Sequence, residues 1–424
     1  MSTSISSIFS LLISSAGIGF VGLLIQWTIA KQLNVDEFGS FSAAYNMVML
    51  LSPLAGLGIQ QVLLRLYGEY GSSASKGKKT YISYILLTTI IANILLFSIS
   101  FLIYGGDQTG FILRVLSIII VAQLMLQLLN TKYQIEGNYK SYSILNFTYI
   151  ASRLIVIYLL VLFGFSFNIV TLSLSYSMLA FFFIVYATVN LYDFENRLKL
   201  NSNKNLESYD STEINVKNVF SLGWMYGFSG ILYLIYYQSD IIIIEYFISS
   251  KSAGLYTVSY IIISVAYILP SVVFQKYLLP IVHRWYYEKN ENIILIFKVW
   301  TPISFLVGFF IAIFIYFISE YLVGYFFGES YLEALSYIYL LVFCIPIKFA
   351  STCLGLLFSL EVLIKRKFQI MCFVAALNLV LNVLLIPSYG AVWAAYTTVI
   401  SEFLILLFFI FIINLRFINE YKKV

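Results

Sequence analysis

Long apolar stretches, separated by short polar turns, make up most of the chain. A helix needs about 20 predominantly apolar residues to cross a bilayer, and twelve stretches meet that requirement. They predict twelve membrane-spanning helices. Six lie in the first half of the chain, at residues 10–31, 39–66, 80–104, 111–133, 142–163 and 168–190. The other six lie at residues 218–248, 253–282, 292–318, 334–361, 367–387 and 390–415.

Residues 191–217 form a long polar stretch between the two sets of six. This stretch holds five acids, four bases and five asparagines, with no apolar run longer than two residues. Such a composition is typical of a solvated linker. The pattern therefore predicts two membrane-embedded domains, 1–190 and 218–424, joined by the linker 191–217.

Composition excludes a soluble globular protein. Of the 424 residues, 61% are hydrophobic and 11% are charged, and the mean hydropathy is +0.91. Soluble domains carry roughly 25% charged residues. Lipid must therefore be the solvent for most of the surface. The net charge of +5 is spread over many turns, so it does not indicate nucleic-acid binding.

The distribution of basic residues predicts the orientation in the membrane. If the N-terminus is cytoplasmic, 18 of the 25 lysines and arginines fall in cytoplasmic segments, and only Lys31 and Lys251 fall in outside turns. Such a bias is the positive-inside pattern. We therefore expect both termini and the linker to be cytoplasmic. The outside turns are too short to hold a catalytic domain.

Two short segments suggest that the halves are repeats. The sequence FGSFSAAY at residues 38–45 and the sequence AGLYTVSY at residues 253–260 share a glycine, an aromatic residue and a tyrosine at an offset of 215 residues. Both segments enter the membrane from the same side in the predicted topology. We therefore expect parallel repeats, related by an axis along the membrane normal.

One span carries two prolines close to a lysine. Pro270 and Pro280 flank Lys276 in the predicted span 253–282. A proline removes a backbone hydrogen bond and bends a helix. We therefore expect this span to be bent and to line a cavity.

Residues suited to catalysis or metal binding are few. Cys344, Cys353 and Cys372 lie in apolar segments without metal-ligand spacing, and His283 is the single histidine. The sequence has no Walker A motif and no Rossmann glycine pattern. These features predict a protein that is not an enzyme and that holds no cofactor or metal.

Several short motifs follow one another along the whole chain. They are EFG at 37–39, SPLAGLG at 52–58, LLR at 63–65, DIIII at 240–244, AGLY at 253–256, FGESY at 327–331, LNLVLN at 377–382, IPSYGA at 386–391, AA at 394–395 and SE at 401–402. In this order they resemble polysaccharide repeat-unit flippases of the Wzx type. These flippases belong to the multidrug/oligosaccharidyl-lipid/polysaccharide exporter superfamily.

The resemblance implies an all-α polytopic membrane protein with about 12 transmembrane helices in two six-helix bundles around a central cavity, as in MATE transporters. It also implies a flippase of the bacterial cytoplasmic (inner) membrane. Its substrate would be an undecaprenyl-pyrophosphate-linked oligosaccharide, moved to the outer leaflet by alternating access for O-antigen or capsule assembly. Membrane lipids, a polymerase and other assembly proteins would be its partners.

Charged residues inside predicted spans are the candidate functional residues, because such charges are costly in a membrane. For an anionic pyrophosphate, the candidate binding residues are the bases Arg153, Lys348, Lys276 and Arg65. The deep acids Asp240 and Glu402 are candidates for a coupling ion. The alternative is that the bases snorkel to the surface or that the two acids neutralise Arg153 and Lys348.

Two other functions stay open. A drug/cation antiporter of the same superfamily should favour acids in its cavity, whereas the deep charges here include at least as many bases. A membrane polymerase or ligase of the same pathway would need a catalytic loop on the outer face. The short outside turns argue against such a loop.

Overall fold

The computed structural model describes residues 5–192, 215–288, 290 and 292–414, and over these ranges the chain is helical apart from short turns. Each of the twelve predicted spans coincides with a helix or a succession of helices. Within these described ranges, ten helical stretches are long and apolar enough to cross a membrane, and one bent pair of helices forms an eleventh candidate. The prediction of an all-α polytopic membrane protein with about twelve spans is therefore confirmed.

The first six spans comprise eight helices. Two of the spans, 39–66 and 111–133, are each made of two successive helices. The helices are α1 (Ile5–Gln32), α2 (Val35–Leu51), α3 (Ile59–Tyr70), α4 (Lys78–Leu102), α5 (Gln108–Leu116), α6 (Ile118–Ile135), α7 (Tyr139–Leu162) and α8 (Ile169–Tyr192).

The last six spans are less regular. π-Helical segments at Ser271–Leu278, Ile296–Trp300 and Val323–Phe327 interrupt or extend their α-helices. The helices are α9 (Val216–Phe247), α10 (Ser250–Pro270), α11 (Leu279–Tyr287), α12 (Asn292–Leu295), α13 (Thr301–Leu322), α14 (Leu335–Leu341), α15 (Cys344–Leu354), α16 (Glu361–Tyr389) and α17 (Val392–Ile412).

Polar residues in the turns determine where several helices begin. The side chain of Asn138 accepts a hydrogen bond from Ser141 N (3.1 Å) at the start of α7. Ser249 does the same for Ser252 N (3.1 Å) at the start of α10. An N-cap oxygen satisfies an amide that would otherwise have no intrahelical partner. The short polar turns of the sequence are therefore both span boundaries and helix caps.

By its internal contacts the chain forms two units. The N-terminal unit comprises Met1–Ile25 and Ala43–Leu234, and the C-terminal unit comprises Gln26–Ser42 and Ile235–Val424. The domain boundaries 1–190 and 218–424 stay a prediction. In the linker 191–217, residues 193–214 lie outside the described residues, as do the last ten residues of the chain. The cytoplasmic location of these segments also stays a prediction.

The glycines of the two repeated segments touch each other within the C-terminal unit. A Cβ atom on Gly39 would lie 1.7 Å from the carbonyl oxygen of Ser250 and 2.8 Å from Gly254 N. A Cβ atom on Gly254 would lie 2.4 Å from the carbonyl oxygen of Val35. Residues 35–42 of α2 therefore pack backbone to backbone against α10. Only glycine permits this approach.

Substitution of Gly39 by alanine should destabilise the C-terminal unit. The added methyl group would meet backbone atoms of α10, which can give way only if the helix itself shifts. Overpacking of this kind costs about 1–3 kcal/mol. Thermal unfolding in detergent measures the effect. Gly22→Ala in α1 is the matched control, because a Cβ atom there would meet only the Ile150 side chain at 3.7 Å. Equal melting temperatures for the two variants would contradict the close packing.

Two breaks in the helices affect predicted site residues. α10 ends at Pro270 and continues as the π-helical segment that contains Lys276. A π-helical segment thus interrupts the α-helix, whereas the expected bend and the expected cavity stay predictions. The second break is a bend of 50° between α14 and α15. Pro346 lies in the first turn of α15, where its missing N–H needs no partner. Lys348 lies two residues after it in the same helix.

Candidate functional site

Arg153 lies among three tyrosines of the N-terminal unit. Its Nη2 atom donates to Tyr149 OH at 2.9 Å, and Nη1 donates to Tyr45 OH. The guanidinium carbon lies 4.7 Å from the Tyr149 ring centroid, 5.4 Å from that of Tyr45 and 5.7 Å from that of Tyr176. α2, α7 and α8 each contribute one tyrosine. We call these four residues the arginine cluster.

Arg153 gives the arginine cluster a positive charge, and no carboxylate among the described residues balances it. Ring faces and hydroxyl oxygens stabilise the guanidinium in place of a carboxylate. Bonds to two hydroxyls use only part of its N–H donors. The remaining donors and the uncompensated charge suit the cluster to bind an anion.

Lys348 and Glu402 form an ion pair in the C-terminal unit. Lys348 Nζ lies 2.8 Å from Glu402 Oε1, and the two side chains are 18% and 2% exposed. Lys348 Nζ also lies 5.9 Å from the ring centroids of Tyr236 and Tyr267. Glu402 Oε2 is buried and accepts no hydrogen bond from the described residues. This carboxylate is therefore only half satisfied.

Removal of one member of this pair should cost more than removal of both. Lys348→Met should lower the free energy of unfolding by about 3–5 kcal/mol, because it leaves a buried charge without its partner. Addition of Glu402→Gln should restore most of that loss. Unfolding curves of both single variants and the double variant measure the coupling. Strictly additive effects would show that the two side chains do not interact.

The exposed pair Lys251–Glu333 is the control for this cycle. Its N–O distance is also 2.8 Å, but the side chains are 45% and 66% exposed. Exposed pairs contribute about 0–1 kcal/mol. The same cycle of substitutions should therefore change the stability little.

Asp240 is buried among neutral donors of the C-terminal unit. The side chain is 4% exposed. Its Oδ1 atom accepts from Asn382 Nδ2 at 2.5 Å, and its Oδ2 atom accepts from Tyr256 OH at 2.8 Å and from Thr398 Oγ1 at 2.7 Å. No basic side chain of the described ranges pairs with it. Buried carboxylates normally require a cation or a full set of donors.

Further polar residues extend this site along α16 and α17. Asn382 Nδ2 also donates to Asn378 Oδ1 at 3.1 Å, and Asn378 Nδ2 donates to Ser401 Oγ at 3.2 Å. Thr397 Oγ1 donates to Asn382 Oδ1. We call Asp240 and these hydrogen-bonded residues the carboxylate network. Around the Asp240 carboxylate of α9 it places hydroxyl groups from α10 and α17 and an amide nitrogen from α16. An ionisable acid buried in a span in this way is a candidate to take up a proton.

The predicted residues thus fall in different surroundings. Arg153 belongs to the arginine cluster, Lys348 and Glu402 form an ion pair, and Asp240 lies in the carboxylate network. The alternative that an acid neutralises a deep base is observed for Lys348, and no acid of the described ranges pairs with Arg153. Arg65 lies on the exposed side of α3. The side chain of Lys276 lies outside the described residues, so its role stays a prediction.

The site residues predicted from the sequence include no tyrosine and no asparagine. Tyr149 precedes Arg153 by one helical turn, and such a spacing predicts contact. Asn378 and Asn382 show the same spacing in an apolar span, which was a usable signal. Tyr45 and Tyr176 come from other helices, and no local pattern indicates them.

Comparison with known proteins identifies relatives. The sequence profile of a family described as polysaccharide biosynthesis protein matches residues 3–285. No curated protein matches the chain significantly.

Several solved structures share the fold at low sequence identity. The lipid II flippase MurJ in an inward closed conformation matches with a TM-score of 0.70 and 15% identity, over 97% of this chain and 89% of that chain. An inward-facing multidrug resistance MATE transporter matches with a TM-score of 0.66 and 12% identity, over 100% of this chain and 97% of that chain. A MOP superfamily transporter from Pyrococcus furiosus matches with a TM-score of 0.60 and 13% identity, over 99% of this chain and 96% of that chain. At these identities the matches establish the fold alone, which the chain shares with these transporters.

Proposed function

Because the chain belongs to the polysaccharide biosynthesis protein family, we propose that it is a flippase for oligosaccharide repeat units linked to undecaprenyl pyrophosphate. The head group of such a lipid carries phosphates and many hydroxyls, and each is costly to bring into hydrocarbon. A membrane protein that supplies polar partners within its spans removes that cost. The observation that carries the proposal is Arg153, a partly buried cation without an acidic partner among the described residues.

Arg153 is proposed to bind the pyrophosphate directly. A guanidinium can donate two parallel hydrogen bonds to phosphate oxygens, whereas a lysine acts as a point charge. Lys348, in the C-terminal unit, would also bind the pyrophosphate once its ion pair with Glu402 is broken. Arg65 and Lys276 are proposed to contact it nearer the cytoplasmic side.

Asp240 and Glu402 are proposed to couple transport to an ion gradient. Each carboxylate is buried, and each has capacity for a proton or a cation: Asp240 among neutral donors, and Glu402 through Oε2. An ionisable group in a span is a candidate coupling site for alternating access. This feature also favours the second candidate, a drug/cation antiporter.

The arginine cluster separates the two candidates. One structural relative is a lipid II flippase and another is a multidrug transporter, so fold does not decide between them. An organic cation would be repelled by Arg153, whereas a pyrophosphate would be attracted. The lipid-linked oligosaccharide is therefore the preferred substrate, and the protein is proposed to be a non-catalytic transporter.

The protein is proposed to lie in the bacterial cytoplasmic membrane with both termini inside. Cysteines introduced at Ser208 and Ser388 test this topology with a membrane-impermeant thiol reagent. Residue 208 should react only after the cells are opened, since the charge bias places the linker inside. Residue 388 should react in intact cells, because Ser388 is in the predicted outside turn. Labelling of residue 208 in intact cells would reverse the orientation.

Lipid-linked intermediates in a deletion strain test the function. Loss of a flippase should leave single repeat units facing the cytoplasm, whereas loss of a polymerase should leave them on the outer face. Their access to an impermeant glycosidase distinguishes the two positions. Normal levels and sidedness of these lipids would reject the flippase proposal.

A further inference from the structure

A groove runs along the surface of the N-terminal unit between α7 and α8. It has a volume of about 360 Å³, and Tyr133 of α6 closes one side. Ser141 and Ser152 mark its extent along α7, and Phe183 and Tyr186 belong to its wall on α8. From Ser141 to Ser152 the helix rises about 16 Å, which is about half the hydrocarbon thickness of a bilayer.

The groove has a firm floor and an open mouth. Leu145 and Tyr149 are buried in one hydrophobic cluster with Leu126, Leu129 and Ala187. At the mouth, Ile144, Phe182 and Tyr186 are exposed. Exposed apolar side chains on a membrane span are in contact with hydrocarbon. The groove is therefore accessible sideways to a lipid chain.

Tyr149 connects the groove to the arginine cluster. Its ring belongs to the floor of the groove and lies 4.7 Å from the Phe183 ring centroid. Its hydroxyl accepts the hydrogen bond from Arg153 Nη2 at 2.9 Å. An apolar channel for a chain and a cation for its head group thus meet at one side chain.

We infer that this groove holds the isoprene units next to the pyrophosphate of the lipid carrier. The inference rests on the proposed function and assigns the chain-binding part of the same site. In the lipid carrier a charged pyrophosphate is followed by a branched hydrocarbon chain. In the protein the cationic Arg153 is followed by the apolar groove along α7 and α8, so the two sequences of surfaces match. The volume is at the low end of the roughly 300–1,000 Å³ of small-molecule sites, so the groove takes a segment of one chain and leaves the rest in the bilayer.

Photo-cross-linking of the full-length protein in phospholipid vesicles tests the inference. The probe is a polyprenyl pyrophosphate with a diazirine on an isoprene unit beside the pyrophosphate. Labelled peptides should come from α7 and α8. Thr148→Trp, which places a large ring over the groove, should reduce labelling about tenfold or more. Ile155→Trp is the matched control, because Ile155 is exposed on the same helix and does not line the groove.

The outcomes distinguish a failure of the groove inference from a failure of the flippase proposal. Normal labelling of Thr148→Trp together with loss of labelling in Arg153→Ala would overturn the groove and leave the flippase proposal standing. Normal labelling in both variants would overturn both. Competition by excess phospholipid as strong as that by unlabelled polyprenyl pyrophosphate would show an ordinary lipid site and overturn the inference. Loss in both variants, with Ile155→Trp unaffected, supports it.

Discussion

Arg153→Ala should reduce export of lipid-linked repeat units about 30-fold or more, because truncation of one partner of a buried charged contact costs about 2–5 kcal/mol. The variant should still insert in the membrane, since no carboxylate of the described residues depends on Arg153 for charge balance. Arg153→Lys keeps the charge but loses the planar donor set, so it should retain part of the activity. Surface polymer and lipid-linked intermediates are the quantities to measure in complemented deletion cells.

Two further variants show whether the loss arises from the guanidinium. Tyr149→Phe removes the hydrogen bond to Nη2 but keeps the ring beneath the cation, so its effect should be smaller than that of Arg153→Ala. Arg366→Ala is the control, because Arg366 is exposed and bonded to the Gln369 side chain at 3.1 Å. Normal export by Arg153→Ala combined with Lys348→Ala would refute the assignment of both bases. Lys348→Arg should be tolerated better than Lys348→Ala.

Asp240→Asn should abolish the response of export to an ion gradient. Asparagine has nearly the shape of aspartate, but it cannot take up a proton and binds a cation poorly. Its amide would also face donors of Tyr256, Thr398 and Asn382 that now point at a carboxylate. Export by vesicles that contain the variant should be slow and equal with and without an imposed proton or sodium gradient.

Protein level and a control acid complete this experiment. Glu333→Gln removes an exposed acid of the same unit and should leave the gradient response intact. Loss of the Asp240→Asn protein from the membrane would indicate a structural role for the network. A full gradient response in Asp240→Asn would remove Asp240 from the coupling mechanism.

Hydropathy is sufficient to predict where the spans lie, but it does not predict how the site residues are arranged. Each of the twelve apolar segments coincides with helical structure because a bilayer leaves the backbone few alternatives. The bend of 50° between α14 and α15 falls inside the single predicted span 334–361. Pro346 lies near the bend and can break a helix, but the hydropathy of the span shows no interruption there, and Gly308 of α13 packs against Pro346. A Cβ atom on Gly308 would lie 2.8 Å from the Cα atom of Pro346.

The sequence also does not indicate which side chains are the partners of the charged residues within the spans. A helix that is apolar on all sides carries no stripe that shows which face meets a neighbour. Lys348 and Glu402 are 54 residues apart, and Asp240 and Asn382 are 142 residues apart. Lys348, Glu402 and Asp240 can be recognised from the sequence as costly in a membrane, but their partners depend on the packing of helices distant in sequence. Tyr149 and Arg153 are the exception, since they share one helix face.

Transfer of a labelled lipid-linked oligosaccharide across vesicles is the most direct test of the flippase proposal. The purified protein is reconstituted with undecaprenyl pyrophosphate that carries a short oligosaccharide, and an impermeant glycosidase is added outside. With wild-type protein and an ion gradient, nearly all the label should become accessible with time, whereas vesicles with Arg153→Ala should stay near half, the share initially exposed. Equal accessibility in wild-type, Arg153→Ala and protein-free vesicles would contradict the proposal.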